Sequence, residues 1–131
     1  MTKDFIPYEQ ALTLKELGFD EPCIARWIVT DIRDGGEVKL EIWNDEDTEY
    51  EVKSSTKAPL FQQAFTWFRE KYFLFGQITI AEYELENNGF EYEIKSKDKS
   101  IYTWRGGYKT YEEAELECLK KLIEIVKKKN E

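Results

Sequence analysis

Apolar residues recur at helical spacing in three stretches of the chain, and these stretches predict three helices. The first is "YEQALTLKELGF", with Pro7 near its start and Gly18 at its end. The second is "STKAPLFQQAFTWFREKYFLFG", which has Pro59 in its first turn and apolar residues around more than half of its circumference. The third begins at Thr110, where Glu113 completes a capping box, and it ends in a run of lysines.

The segments between these helices alternate apolar and polar residues, which predicts antiparallel strands. "CIARWIVTDI" and "EVKLEIW" flank a turn at 34–36, and the acidic "NDEDTEYEV" leads to a third short strand at 50–52. After the second helix, "QITIAEYELE", "GFEYEIKS" and "SIYTW" predict three more strands, with a tight turn at 87–89. We therefore predict a single α+β domain over residues 1–131. In it, one antiparallel sheet of about five to six strands packs against the N-terminal helix and the two longer helices.

The bulk composition fits such a domain, and together with the points below it predicts a cytoplasmic protein. The chain has 131 residues, of which 41% are hydrophobic and 35% are charged, as in a globular protein with a strongly charged surface. We expect no signal peptide, because "MTKDFIPYEQ" has no basic region followed by an apolar run, and no apolar stretch approaches the ~20 residues that a membrane span needs. Cys23 and Cys118 each stand in an apolar context, which favours reduced, buried thiols over a disulfide.

The charge of the chain is unevenly distributed and limits the class of partner. The net charge is −8, and residues 1–53, with 14 acids and 6 bases, carry the whole excess. Residues 54–131 hold 13 acids and 13 bases, and the stretch 95–110 is locally basic. Because an acidic chain is repelled by nucleic-acid backbones, we do not expect general DNA or RNA binding. The basic stretch remains suited to a small anion.

No residues in the sequence form a recognisable catalytic or metal-binding motif. The chain has no histidine, which removes the commonest general base and the commonest metal ligand. It also lacks a phosphate-binding glycine loop and a nucleophile motif. The acidic run at 44–49 lacks the glycine and the terminal glutamate of a calcium loop. We therefore expect a protein without a catalytic residue, a metal site or a cofactor.

The segment "YTWRGGYK" combines three features that favour ligand binding. Its aromatic rings could stack on a base, its cations could bind phosphate, and its two glycines would let backbone amides approach a ligand. The candidate ligand-binding residues are Tyr102, Trp104, Arg105, Tyr108 and Lys109. The other interpretation is a Gly-Gly turn from a strand into a helix, whose first-turn glutamates would repel an anion. The sequence leaves both interpretations open.

Three blocks of the chain resemble a family of small proteins, of uncharacterised activity, found in phages and prophages of Bacteroidetes bacteria. The blocks are "YEQALTLKELGFDEPC", "APLFQQAFTWFREKY" and "YKTYEEAELECLKKLIEIVKK", in the expected order. The resemblance implies a phage accessory protein that acts in the cytoplasm of an infected bacterial cell. Such proteins often act against host defence, for example by binding the nucleotide messengers of host immunity.

By analogy with that lifestyle, our first hypothesis is a non-catalytic protein that sequesters a small anionic nucleotide signal. The alternative is a protein-interaction module whose acidic N-terminal surface binds and inhibits a host or phage protein. A third hypothesis is a nuclease or phosphodiesterase that uses carboxylates and a metal. We also expect a homo-oligomer, with a dimer favoured, because the second helix carries more apolar surface than one sheet covers.

Overall fold

A computed structural model describes residues 2–30, 36–42, 52–81 and 89–130 of the chain. After a short 3-10 helix at Thr2–Asp4, three helices and six strands follow in chain order. They are α1 (Tyr8–Glu16), β1 (Ala25–Thr30), β2 (Val38–Ile42), β3 (Val52–Lys57), α2 (Phe61–Tyr72), β4 (Leu74–Ile80), β5 (Phe90–Ser96), β6 (Tyr102–Tyr108) and α3 (Tyr111–Lys129). The predicted turns at 34–36 and 87–89 and the acidic run at 44–49 lie wholly or partly outside the described residues.

The chain divides into two compact units, Met1–Leu60 and Phe61–Glu131. The first unit is built on an antiparallel sheet with the strand order β2-β1-β3, so β1 lies at its centre. Trp27 on β1 stands opposite Leu40 on β2 and donates a hydrogen bond from its indole N–H to the Ile6 carbonyl at 2.8 Å. Helix α1 packs against β3 and ends as predicted before Gly18, whose positive φ of 102° suits only glycine.

The second unit contains α2, an antiparallel sheet with the order β4-β5-β6, and α3. Helix α3 packs on one face of this sheet, which we call the inner face, and the opposite face is the outer face. Gly76 on β4 marks the inner face, because a Cβ there would lie 3.0 Å from Sγ of Cys118 on α3. The apolar positions that predicted α3 are all buried: Ala114, Cys118, Leu119, Leu122, Ile123 and Val126.

The α+β class is confirmed, but the prediction of one sheet of five to six strands is wrong. The described strands form two three-stranded sheets, because β3 pairs back onto β1 and β4 pairs with β5. Alternation along a strand shows which of its faces is buried, but it does not show which strand lies beside it. The assignment of residues 1–131 to one domain stays a prediction.

The start and the end of the second helix also differ from the prediction. Residues 55–57, predicted as the entry to the helix, belong to β3, where Ser55 stands opposite Ile28 and Lys57 opposite Arg26. Pairing with β1 therefore overrides the helical interpretation of this segment. The helix ends at Tyr72 because Phe73 adopts a positive φ of 56°, and β4 begins one residue later.

The two cysteines are both free thiols, as expected, but only one of them is buried. Burial raises the pKa of Cys118 to about 12, and the negative charge of Glu115 adds to this rise. Cys23 is only half-buried. In the described part of the chain, no helix has the length and the apolar character needed to cross a membrane.

Candidate functional site

The five candidate residues from the sequence lie on or directly after a strand, not in a loop. β6 continues through Gly106 and Gly107 to Tyr108. Arg105 pairs with Tyr92 and Tyr108 with Phe90, so the two glycines on β6 oppose one residue on β5. This arrangement is a β-bulge, and Gly107 has a positive φ of 90° within it. The interpretation of the two glycines as a turn into the helix is therefore wrong.

The bulge divides the candidate residues between the two faces of the sheet. Tyr102 and Trp104 lie on the outer face, 63% and 51% exposed. Arg105 lies on the inner face, directly opposite Tyr92. The extra residue in the bulge returns Tyr108 to the inner face, where its ring stacks on Tyr92 with centroids 6.0 Å apart. The structure therefore does not bring the five residues into one site.

On the inner face, Arg105 places its positive charge near the phenols of Tyr92 and Tyr108. Burial raises the pKa of Tyr92 to about 12 and also raises the pKa of Tyr108. The positive charge of Arg105 opposes both of these rises. Arg105 therefore acts here as a counter-charge beside two phenols at the edge of the core.

Lys109 precedes α3 and belongs to the cap of that helix. The Thr110 hydroxyl accepts a hydrogen bond from the Glu113 N–H at 3.1 Å, which confirms the predicted N-cap. The Glu113 carboxylate in turn accepts from the Lys109 N–H at 3.2 Å, one residue before the position in a standard capping box. The negative carboxylate therefore lies at the start of the helix, where an anionic ligand would otherwise be attracted.

A cavity in the first unit, which the sequence did not predict, has the features of a ligand site. Its volume is about 420 Å³, within the range of small-molecule sites in proteins. Ala11 on α1, Phe19 and Ala25 give it an apolar lining. Its cationic residues come from three elements and are Lys15 on α1, Arg26 on β1 and Lys57 on β3.

Two of these cations stand directly opposite each other on neighbouring strands. Arg26 and Lys57 are register partners in the β1–β3 pair, a placement in which like charges repel. The Glu41 carboxylate accepts from the Arg26 guanidinium at 2.9 and 3.0 Å, and Asp20 pairs with Lys57 at 2.9 Å. The Asp20–Lys57 pair is exposed, so it contributes little stability and yields readily to a competing anion.

Counted over the residues that the structure describes, the third cation gives the cavity lining a net positive charge. Lys15 follows Ala11 by one helical turn on the same face of α1 and makes no ion pair with another described residue. Among the described residues, the three cations of the lining therefore stand against two carboxylates, Asp20 in the lining and Glu41 beside Arg26. The hydroxyls of Ser55 and Thr56 and the half-buried thiol of Cys23 complete the wall. Because these residues are far apart in sequence, only the pairing of β1 with β3 could have revealed them.

Among the residues that the structure describes, no three or more acidic, cysteine or histidine side chains form a possible metal site. Comparison with protein-family models, with curated proteins and with solved structures finds no match to this chain. The resemblance to the phage family therefore stays a prediction.

Proposed function

We propose that this protein binds a small anionic nucleotide without chemical conversion and holds it in the cavity of the first unit. The single observation that carries this proposal is the convergence of Lys15, Arg26 and Lys57 on a cavity of about 420 Å³ with an apolar lining. A phosphate between Arg26 and Lys57 would relieve their mutual repulsion and would accept charge-assisted hydrogen bonds from both. The base would contact the apolar lining beside Phe19.

The proposed role is sequestration of a nucleotide immune signal by a phage accessory protein in the infected host cytoplasm. Sequestration requires affinity but no general base, which agrees with a chain that contains no histidine. We propose the site in the first unit and not on β6, because Tyr102 and Trp104 lie on the opposite face of the second sheet from Arg105. The alternative, inhibition of a protein through the acidic N-terminal surface, stays a prediction, since half of the acids in residues 1–53 lie outside the described residues.

Titration calorimetry with cyclic and ADP-ribose-type nucleotides tests the proposal, and we expect one of them to bind in the micromolar range. Arg26→Gln and Lys57→Gln should each weaken that binding at least about tenfold, since a charge-assisted hydrogen bond contributes roughly 1.5–3 kcal/mol. Lys120→Gln is the matched control, because it removes an equally exposed lysine that pairs with Glu117 outside the cavity. Absence of binding by any such nucleotide would refute the proposed function.

The location of the ligand is tested separately by alkylation of the two thiols. Cys23 lines the cavity and is half-buried, whereas Cys118 is fully buried and has a raised pKa, so an alkylating reagent should modify Cys23 alone. A bound nucleotide should slow this modification, as measured by intact-protein mass spectrometry. If a nucleotide binds and leaves Cys23 unprotected while Arg105→Ala abolishes binding, the site is on β6 and the cavity assignment is wrong.

A further inference from the structure

The outer face of the second sheet carries two rows of side chains that cross all three strands. One row has an aromatic residue at each end and a cation at its centre: Phe75 on β4, Lys95 on β5 and Tyr102 on β6. The next row has an acid at its centre: Gln77, Glu93 and Trp104. With Phe75 43% exposed and the other two rings more than half exposed, this face presents three aromatic residues to solvent.

The centre of the outer face carries an ion pair, and exposed aromatic rings lie beside it. The Lys95 ammonium lies 3.4 Å from the Glu93 carboxylate and 5.9 Å from the centroid of the Tyr102 ring. The indole of Trp104 lies beside Gly106, where a Cβ would be only 3.4 Å from Cζ2 of the ring.

The charges on this face determine what kind of partner can cover it. Within strands β4–β6, Glu91 and Glu93 stand along the centre of the face, on β5, beside the cation Lys95, so these strands present no excess of positive charge to attract a nucleic-acid backbone. Exposed tyrosine and tryptophan residues are instead enriched where proteins contact each other. The neighbouring acid and base also make the face complementary to itself.

We propose that the outer face of β4–β6 docks against the same face of a second copy of this chain. A two-fold axis that crosses the strands between the two rows would bring Lys95 opposite the partner's Glu93. The same axis would place Tyr102 against the partner's Trp104, so both contacts occur twice in the dimer. An axis along β5 would instead place Lys95 against the partner's Lys95, and we exclude it on charge.

This surface replaces the helical surface from which the sequence analysis expected a dimer. Five apolar residues of α2 are already buried in the single chain: Phe61, Ala64, Phe65, Trp67 and Phe68 are each at most 6% exposed. Helix α2 therefore offers no such apolar surface to a second copy. The proposed dimer surface lies in the second unit and does not depend on the nucleotide cavity of the first.

Sedimentation velocity over a range of concentrations tests the dimer, and we expect a reversible monomer–dimer equilibrium for the full chain. Lys95→Glu should raise the dissociation constant at least about tenfold, because it places acids opposite the partner's Glu93. The double variant Glu93→Lys with Lys95→Glu should restore association, because it restores the complementary charges. Trp104→Ser should also weaken association, and Ile24→Ser, at a 57% exposed position in the other unit, is the control.

Circular dichroism of each variant confirms that it is folded, so a loss of association cannot be mistaken for unfolding. A wild-type protein that stays monomeric at about 100 µM would overturn the proposal and leave this face to a different partner. A dimer that persists unchanged in both Lys95→Glu and Trp104→Ser would also overturn it, because the interface would then lie elsewhere.

Discussion

Helix α3 approaches the second sheet closely at Gly76, and a single methyl group added there should destabilise the fold. The Cβ of Gly76→Ala would lie 3.0 Å from Sγ of Cys118 and 3.3 Å from Cδ1 of Leu122, against ~3.5–4.0 Å for ordinary contacts between carbon atoms. Both neighbours are fully buried, so neither side chain has free space into which to move. These side chains, or the elements that carry them, must therefore give way by a few tenths of an ångström.

The size of the effect follows from two opposing terms. Overpacking of a filled core costs roughly 1–3 kcal/mol, whereas alanine in place of a strand glycine recovers about 0.5–1 kcal/mol. We therefore expect Gly76→Ala to lower the free energy of unfolding by up to roughly 2.5 kcal/mol.

Two other glycines of the same sheet are matched controls for crowding and for backbone strain. At Gly106 the added Cβ would meet its nearest neighbours at 3.4 and 3.5 Å on the outer face, so Gly106→Ala should be neutral or slightly stabilising. At Gly107 the added Cβ would meet nothing within 4 Å, but φ is +90°. Gly107→Ala should therefore cost about 1 kcal/mol through backbone strain alone.

Urea denaturation followed by tryptophan fluorescence measures these differences, and comparison of the m-values shows whether the denatured state has changed. Cys118→Ala removes the sulfur atom that crowds the new methyl, so the double variant should show a favourable coupling of at least ~0.5 kcal/mol with Gly76→Ala. If Gly76→Ala is as stable as Gly106→Ala, or if the coupling is absent, then α3 does not approach β4 as closely as the structure places it.

Other residues of the second unit give two further tests. Phe68→Ala and Leu122→Ala each empty a fully buried position and should lower the free energy of unfolding, measured in urea, by roughly 2–5 kcal/mol. Thr110→Ala removes the helix cap and should lower it by about 1 kcal/mol. Unchanged denaturation midpoints in these variants would contradict the helix packing. Burial raises the pKa of Cys118 from 9.0 to about 12. Between these two pH values the thiol is protonated in the folded state and loses its proton on unfolding, so the free energy of unfolding should fall as the pH rises above about 9. Cys118→Ala should flatten this decline in denaturant titrations between about pH 8 and 11, and an equally steep decline in the variant would contradict the assignment.

Local sequence information predicted α3 nearly in full. Thr110 and Glu113 mark its start, apolar residues recur at helical spacing through Val126, and the final lysines match the helix dipole. All of these signals act between residues within one or two turns of each other. The pairing partners of strands are set at longer range, which is why β3 and β4 were wrongly expected to share a sheet.

The candidate site was harder to predict for the same reason. A Gly-Gly pair before a helix is equally compatible with a turn and with a bulge, and only the register of β5 against β6 decides between them. One additional residue then moves Tyr108 to the opposite face from Trp104. The cavity cations lie on α1, β1 and β3, and Lys57 was assigned to the entry of a helix, so the sequence offered no reason to group them.

The bulge at Gly106 and Gly107 also affects the behaviour of the protein at high concentration. β6 is an edge strand of its sheet, and a regular edge presents free N–H and C=O groups that can pair with a strand of another molecule. The additional residue breaks the regular spacing of these groups, so a straight foreign strand can pair with only part of the edge. The bulge should therefore hinder the growth of intermolecular sheets, and deletion of Gly107 should make the protein more prone to form fibrils during heating or overexpression.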